Sequence, residues 1–499
     1  MDPVCVPRRA WLTWGSILVL LFLALAALGW QRTLIVTETW ALINAGQPFA
    51  EHLTEIRGDL VHPPLIYLVQ RGWLAVFGQT DNAARALPLV IIPPAILLLT
   101  LLATRITPHW RLLSFFLASV FFHIGGAPTL VRMYGLALLL TAAGLLLWDS
   151  WRTNPRNATL AAWTAVMTLL VYTHLFGALF VVSFVMLNWL FGRRKITFTL
   201  AAAVPALAFL PWFLYVLPVY HARGLDSNLH WVHKSLASAT ASLFYNFLGS
   251  FPAAGYRIRL IGIALAAAIH LGLLILWWRN RTRFWPLRGE NEFSRQWFWM
   301  AALFAAVPLL VLFVFSVTVA RSLEARFVLG AMIPYLIVVF LLCQLSGRAG
   351  RIALLAVLLP WKIVGIAGSV VEARRPSIVR QGVEFAAGRV RPGDLLLADA
   401  PGLGSVLYWE WNRRLHRSER IEALSSDLPT AIRMAGVTPR PFDRLDLDGV
   451  SRIWVFRNRE EEDPGLVGAM AARGFVPVPQ GATGVPRLLL FERKTETVR

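Results

Sequence analysis

Charge is scarce in this chain. Of its 499 residues 15% are charged and 57% hydrophobic, against about 25% and roughly 45–50% in a soluble domain. That balance argues against a water-solvated globule and for a core solvated by lipid. Cysteine is nearly missing. Cys5 and Cys343 are the only two, so residues 371–499 hold neither a disulfide framework nor a cysteine-based zinc site. Acids are few and unevenly placed: of 28 Asp and Glu, 11 lie in residues 1–370 and 17 in residues 371–499. Against 28 and 20 basic residues, these leave the first part at net +17 and the tail at only +3. In a soluble protein such an excess would suggest nucleic acid. Here the basic residues sit mostly between apolar runs, where they retain loops in the cytoplasm, and no nucleic-acid partner is expected. No internal repeat is evident, which weighs against a carrier built from paired halves.

What is present is a series of long apolar runs. The first, from Trp11 to Trp30, is long enough to span and lacks a convincing small-residue cleavage site. Spans are expected near 11–30, 86–104, 110–125, 130–149, 158–173, 175–191, 197–219, 257–278, 297–319, 326–345 and 350–370. Arg8 and Arg9 precede the first and place the N-terminus in the cytoplasm. The loops that alternation puts inside carry Arg105 and Arg111, Arg152 and Arg156, Arg193 to Lys195, five arginines from Arg279 to Arg295, and Arg348 with Arg351. The outside loops, 31–85 and 220–256, are long and mixed in charge. About eleven spans place the tail outside. The fold class implied is mainly α: a polytopic helical bundle over 1–370, including the outside loop 31–85, and a small extracytoplasmic α/β domain over 371–499.

The tail carries its own signals. Ser377 to Val390 reads as a helix, Arg391 to Asp394 as a turn, and Leu395–Ala398, Ile453–Phe456 and Leu488–Phe491 as strands. Leu466 to Arg473 reads as a helix ending at Gly474. It contains no phosphate loop, metal-ligand cluster or nucleophile elbow.

Few acids lie outside ahead of the tail: Glu38, Glu51, Glu55, Asp59, Asp81, Asp226 and Glu324. Ionisable groups near a bilayer are costly, so each is a candidate for function. Glu38 follows the first span, on a short helix expected over 37–45 along the membrane interface. It reads either as a reactive acid or as the first-turn acid of a helix capped by Thr37. His62 precedes Pro63-Pro64 on extended backbone and suits a phosphate, a metal or the start of the next helix. Asp81 to Arg85 reads as a helix start. Arg132-Met133-Tyr134 lies near an outer helix end, where an arginine either snorkels or grips phosphate oxygens. Tyr172-Thr173-His174 marks an outer turn. Arg321, Glu324 and Arg326 form an anion site or an ion-pair network.

These residues resemble the bacterial membrane glycosyltransferases of the GT-C fold, related to protein O-mannosyltransferases and lipid A aminoarabinose transferases (glycosyltransferase family 39-like). The fragments that carry the likeness run along most of the membrane part. They are His62-Pro63-Pro64-Leu65, Phe77-Gly78, Arg85-Ala86-Leu87-Pro88, Arg132-Met133-Tyr134, Tyr172 to Gly177, Leu210-Pro211-Trp212 and Arg326-Phe327. The resemblance implies transfer of a sugar from a polyprenyl-phosphate carrier, outside the membrane and with inversion. The acceptor is a hydroxyl of a glycan, lipid or protein. Glu38 matches the second acid of the family's first-loop pair and is implied as general base. His62, Arg132, Tyr134, His174, Arg321, Glu324 and Arg326 are expected to bind substrate, with the arginines countering the leaving phosphate. Thr37 stands where the pair's Asp is common, Leu130 where an acid often precedes Arg-x-Tyr, and Phe327 where tyrosine is usual. No cofactor is expected to be required, although a divalent metal is compatible. The competing readings are a transporter or lipid flippase and a non-catalytic relative lacking the usual Asp. Location in a bacterial cytoplasmic membrane follows.

Overall fold

The computed structural model describes residues 6–30, 32–59, 62–123, 130–223, 235–249, 256–284, 292–319, 323–374, 377–424, 439–457, 464–478, 485 and 487–494. They form two compact units. One comprises Met1–Trp30, Ile56–Ile66 and Ala86–Arg374, here the membrane unit. The other comprises Gln31–Glu55, Tyr67–Arg85 and Arg375–Arg499, here the mixed unit.

In chain order the helices are α1 (Arg8–Leu28), α2 (Val36–Ala45), α3 (Phe49–Gly58), α4 (Leu65–Phe77), α5 (Asp81–Thr104), α6 (Trp110–Ala118), α7 (Val120–His123), α8 (Tyr134–Thr153), α9 (Asn157–Thr173) and α10 (Gly177–Phe191). There follow α11 (Lys195–Arg223), α12 (Leu236–Gly249), α13 (Tyr256–Asn280), α14 (Glu292–Thr318), α15 (Met332–Leu345), α16 (Gly347–Ala353), α17 (Leu359–Arg374), α18 (Ile378–Ala387), α19 (Pro401–Tyr408) and α20 (Pro464–Ala472).

The chain is a multi-pass membrane protein. Among the described residues, 8 helical segments are long and apolar enough to cross a bilayer. The other three expected spans coincide with shorter apolar helices, Trp110–Phe122, Asn157–Thr173 and Gly177–Phe191. The long loops expected outside are themselves helical in part, since α3, α4 and α12 lie within them. At 13 residues for α4 and 14 for α12, they fall short of the roughly 20 residues that a helical crossing requires. Prolines interrupt α5 (Pro88, Pro93, Pro94) and α11 (Pro205, Pro211, Pro218) without ending them. Neighbouring helices can re-satisfy the freed carbonyls inside a bilayer.

Two glycines bring the segments of the membrane unit together. A Cβ at Gly330 would stand 2.7 Å from the Phe180 ring and 2.9 Å from Thr141 Oγ1. Glycine there lets the buried 3-10 segment Ala325–Ala331 press against α8 and α10. A Cβ at Gly177 would lie 2.7 Å from the Leu170 carbonyl oxygen, so glycine permits the tight turn from α9 into α10.

The mixed unit contains a six-stranded sheet. Its strands are β1 (Leu395–Ala398), β2 (Ile421–Leu424), β3 (Pro439–Arg440), β4 (Arg452–Phe456), β5 (Phe475–Pro477) and β6 (Leu488–Arg493), in the order β3-β2-β1-β4-β6-β5. The first four are parallel, and β6 and β5 add antiparallel. Parallel strands buried on both faces read as continuous apolar runs, and Leu395 to Ala398 is one. Alternate residues feed two cores. Leu396, Ala398, Trp454 and Phe456 pack with Leu407 and Trp411. Leu395, Leu397, Ile453 and Val455 pack with Met470 and Phe475. The expected strands and the helix before β1 fall where the sequence places them, with Ser377 Oγ capping α18 by accepting from Arg380 N. α2 also belongs to this unit. Its residues from Glu38 to Ala45 are all buried, so it is not the one-sided interfacial helix its sequence suggested: Thr39 Oγ1 lies 3.2 Å from Ser405 Oγ on α19.

Candidate active site

The expected site residues separate into two polar centres, one in each unit. Arg321 lies outside the described residues.

In the mixed unit, Glu38 has no exposed surface. Arg32 Nη2 donates to its Oε1 at 2.6 Å, and the backbone N–H of Ile35 donates to Oε2 at 2.8 Å. The acid therefore closes a buried ion pair and caps the first turn of α2. Nearby in the same unit runs a chain of carboxylates alternating with guanidiniums. Arg85 Nη2 donates to Asp81 at 3.3 Å, and Arg380 Nη2 to Asp81 at 3.2 Å and to Glu410 at 2.8 Å. Arg414 Nε donates to Glu410 at 2.5 Å, and the Trp409 indole N–H donates to Asp81. Each of these three buried or half-buried carboxylates faces a cation, the arrangement that makes charge burial tolerable.

The membrane unit holds the second centre. Asp59 follows α3, and the turn is closed by His62 N–H donating to the Asp59 carbonyl at 3.0 Å. This aligns the side chains. Both Asp59 carboxylate oxygens lie 2.9 Å from His62 Nδ1. His174 caps α9, and its ring stands edge-on to that of His62 with centroids 5.3 Å apart. The Phe176 backbone N–H donates to His174 Nδ1 at 3.2 Å.

These two bonds assign opposite tautomers. A carboxylate only accepts, so His62 Nδ1 carries a proton and its Nε2 presents a lone pair. A backbone N–H only donates, so His174 Nδ1 presents the lone pair and its Nε2 carries the proton. Both Nε2 atoms are buried and have no hydrogen-bond partner among the described residues.

Arg132, in the turn before α8 and 8% exposed, and Arg326, at the start of the 3-10 segment, act electrostatically on both rings. Burial pushes His62 below its ordinary pKa. The Asp59 carboxylate opposes that shift, and the charges of Arg132 and Arg326 reinforce it. His174 is held well below the ordinary histidine value by burial, then by His62, Arg132 and Arg326. Both imidazoles are thus neutral at neutral pH. Phe176 and Phe327 form an aromatic wall beside them, 5.7 and 5.9 Å from the His174 ring and 5.3 Å from each other.

Arg132, His174, Arg326 and His62 are therefore brought together. Tyr134 opens α8, buried, two residues past Arg132. Glu324 precedes the 3-10 segment and accepts from Phe327 N–H at 3.0 Å through its carbonyl. Asp59, Phe176 and Phe327 join the centre without having been singled out as site residues. The Asp-x-x-His spacing of Asp59 and His62 was a signal open to reading. Among the described residues no group of three or more His, Cys, Asp or Glu could hold a metal ion.

The same unit contains an apolar cavity of ≈ 1050 Å³ between α12, α13, α14 and α15. Phe244, Trp277, Trp299 and Leu342 line it, together with His270, whose Nε2 lies 2.5 Å from the Tyr335 hydroxyl. It exceeds the range of ordinary small-molecule sites, about 300–1,000 Å³.

No family model and no curated protein sequence matches the chain. Among solved structures it is similar to ArnT from Cupriavidus metallidurans, crystallised bound to undecaprenyl phosphate. The TM-score is 0.53 at 14% identity, over 98% of this chain and 99% of that one. The whole chain, tail included, thus shares the GT-C fold of the lipid A aminoarabinose transferase.

Proposed function

We propose that the chain is a membrane glycosyltransferase that takes its sugar from a polyprenyl-phosphate carrier and transfers it to an acceptor hydroxyl outside the cytoplasmic membrane. The observation that carries this reading is the convergence of Arg132 and Arg326 on two buried neutral histidines beside an aromatic wall. Two guanidiniums beside buried neutral imidazoles suit an anion whose charge grows as a bond breaks. A phosphodiester becoming a phosphate monoester is such an anion. The flat apolar faces of Phe176 and Phe327 suit the C–H face of a sugar ring, and the ≈ 1050 Å³ apolar cavity suits an isoprenoid tail. The fold is one in which undecaprenyl phosphate has been seen bound, in the ArnT crystal structure.

The reaction follows from these parts. The arginines grip the phosphate on one side of the anomeric carbon, and the hydroxyl approaches from the other. One displacement breaks C1–O–P and forms C1–O–R, with inversion. The basic loops expected inside support an outer-face site and tail. Glu38 has no exposed surface, and Arg32 and the Ile35 N–H are bonded one to each of its oxygens. The geometry supports a positioning role for it better. His62, His174, Arg132 and Arg326 contact substrate in this reading, Tyr134 and Glu324 flank them, and Arg321 is assigned with Arg326 to the anion. No metal is required.

The test is a comparison of envelope glycans from cells with the protein, without it, and with Arg326→Ala. Loss of one glycan modification in the second and third supports the reading. An unchanged glycan profile in cells lacking the protein rejects it.

A further inference from the structure

The two histidines differ in what they offer, and the difference sorts the two substrates. His62 Nε2 presents a lone pair, and His174 Nε2 a proton, from rings 5.3 Å apart. A phosphodiester at neutral pH has no O–H, so it gives the His62 lone pair nothing to accept. A hydroxyl does. The phosphate oxygens can accept from His174, as they accept from the arginines.

We propose that His62, oriented by Asp59, is the proton acceptor for the incoming hydroxyl, and that His174 donates through Nε2–H to the departing phosphate. This rests on the glycosyltransferase reading above. As the acceptor oxygen bonds to the anomeric carbon, its proton passes to His62 Nε2. The C1–O electron pair leaves with the polyprenyl phosphate, held by Arg132, Arg326 and His174. The imidazolium that forms is stabilised by the Asp59 carboxylate against its Nδ1–H, as an orienting acid stabilises a histidine base elsewhere. Asp59 is a positioning residue, since it acts through His62. Thr37, in the place where this fold's first-loop acid is common, then needs no substitute, because the base comes from farther along that loop.

The groups that set the titration of His62 are Asp59 after α3, Arg132 before α8, His174 between α9 and α10, and Arg326 in the 3-10 segment. Asp59 raises its proton affinity and the two arginines lower it. This gives a signature that a merely structural role lacks.

The experiment measures kcat against pH for the full-length protein in lipid nanodiscs. The probe is whichever synthetic polyprenyl-phosphate hexose or pentose the wild type consumes. Wild-type kcat falls on the acidic side at a pH below about 6.5. His62→Gln lowers kcat by about 100-fold or more and erases that acidic limb. Asp59→Asn lowers kcat and moves the limb to lower pH, while Arg132→Ala moves it to higher pH. Imidazole added to His62→Ala restores part of the rate. Thermal melts of each variant accompany the assay, and if the His62 variants melt early, the opposite limb shifts of Asp59→Asn and Arg132→Ala decide. A His62→Gln protein that keeps its kcat or its acidic limb, or that only raises KM for the donor, overturns the proposal while leaving the glycosyltransferase reading intact. A wild type that consumes no polyprenyl-phosphate sugar overturns both.

Discussion

The two polar centres use the same residue types to opposite ends. In the mixed unit, Glu38, Asp81 and Glu410 each face at least one guanidinium at 3.3 Å or less. Four guanidiniums meet three carboxylates there, tying α2 to the residues before it and joining α5, α18 and the segment after α19. In the membrane unit Asp59, Arg132 and Arg326 act on two imidazoles, whose Nε2 atoms have no hydrogen-bond partner among the described residues. Carboxylates that each meet a cation hold a fold, and imidazole nitrogens left open beside two arginines suit something that arrives.

The contrast breaks most sharply at Glu410. Glu410→Ala takes from half-buried Arg380 and Arg414 the fully buried acid they share, while Arg380 keeps Asp81, and costs up to about 3–5 kcal/mol. The check is chemical denaturation followed by Trp fluorescence. An unchanged midpoint would mean that this network holds little. Next in size, Arg326→Ala removes one of the two cations from the centre in the membrane unit. It is expected to lower kcat by about 10²–10³-fold with little change in melting temperature, and steady-state kinetics beside a melt measures both. Glu38→Gln sharpens the line between the units. As a positioning acid, its loss costs about 1–3 kcal/mol of stability and leaves the pH profile of kcat in place. Collapse of kcat in a stably folded Glu38→Gln protein would instead move the proton acceptor to the mixed unit. The smallest effect is at Ser377. Ser377→Ala removes the cap of α18 and costs about 1 kcal/mol, read as a small shift of the denaturation midpoint with activity retained.

Much of the fold was legible because its signals are local. Apolar runs flanked by arginines marked the spans, and Gly474, Arg391-Pro392-Gly393-Asp394 and the run Leu395 to Ala398 marked the tail. The start of α4 was one of three readings of His62-Pro63-Pro64, and α12 was not legible as a helix, since its apolar stretch is short. Nor could periodicity show that residues 31–55 and 67–85 group with the tail, because that depends on what α2 packs against. For the site, the sequence offered single residues with two readings each. His62, Arg132, His174 and Arg326 were candidates, but their convergence is a property of four turns far apart in the chain. Asp59 was one of seven outside acids named as candidates, and the sequence paired it with His62 only through the Asp-x-x-His spacing. Glu38 was favoured because family position suggested it, and no sequence pattern reveals that Arg32 and Ile35 N–H occupy its oxygens.

The measurement that bears most directly on the central claim is mass spectrometry of polyprenyl phosphate after the purified full-length protein is incubated in nanodiscs. The incubation supplies a panel of polyprenyl-phosphate sugars and an extract of envelope lipids and glycans. The account predicts that one carrier releases its polyprenyl phosphate together with one glycosylated product, and that Arg326→Ala suppresses both. Intact carriers across the whole panel, or release that Arg326→Ala leaves untouched, would contradict it.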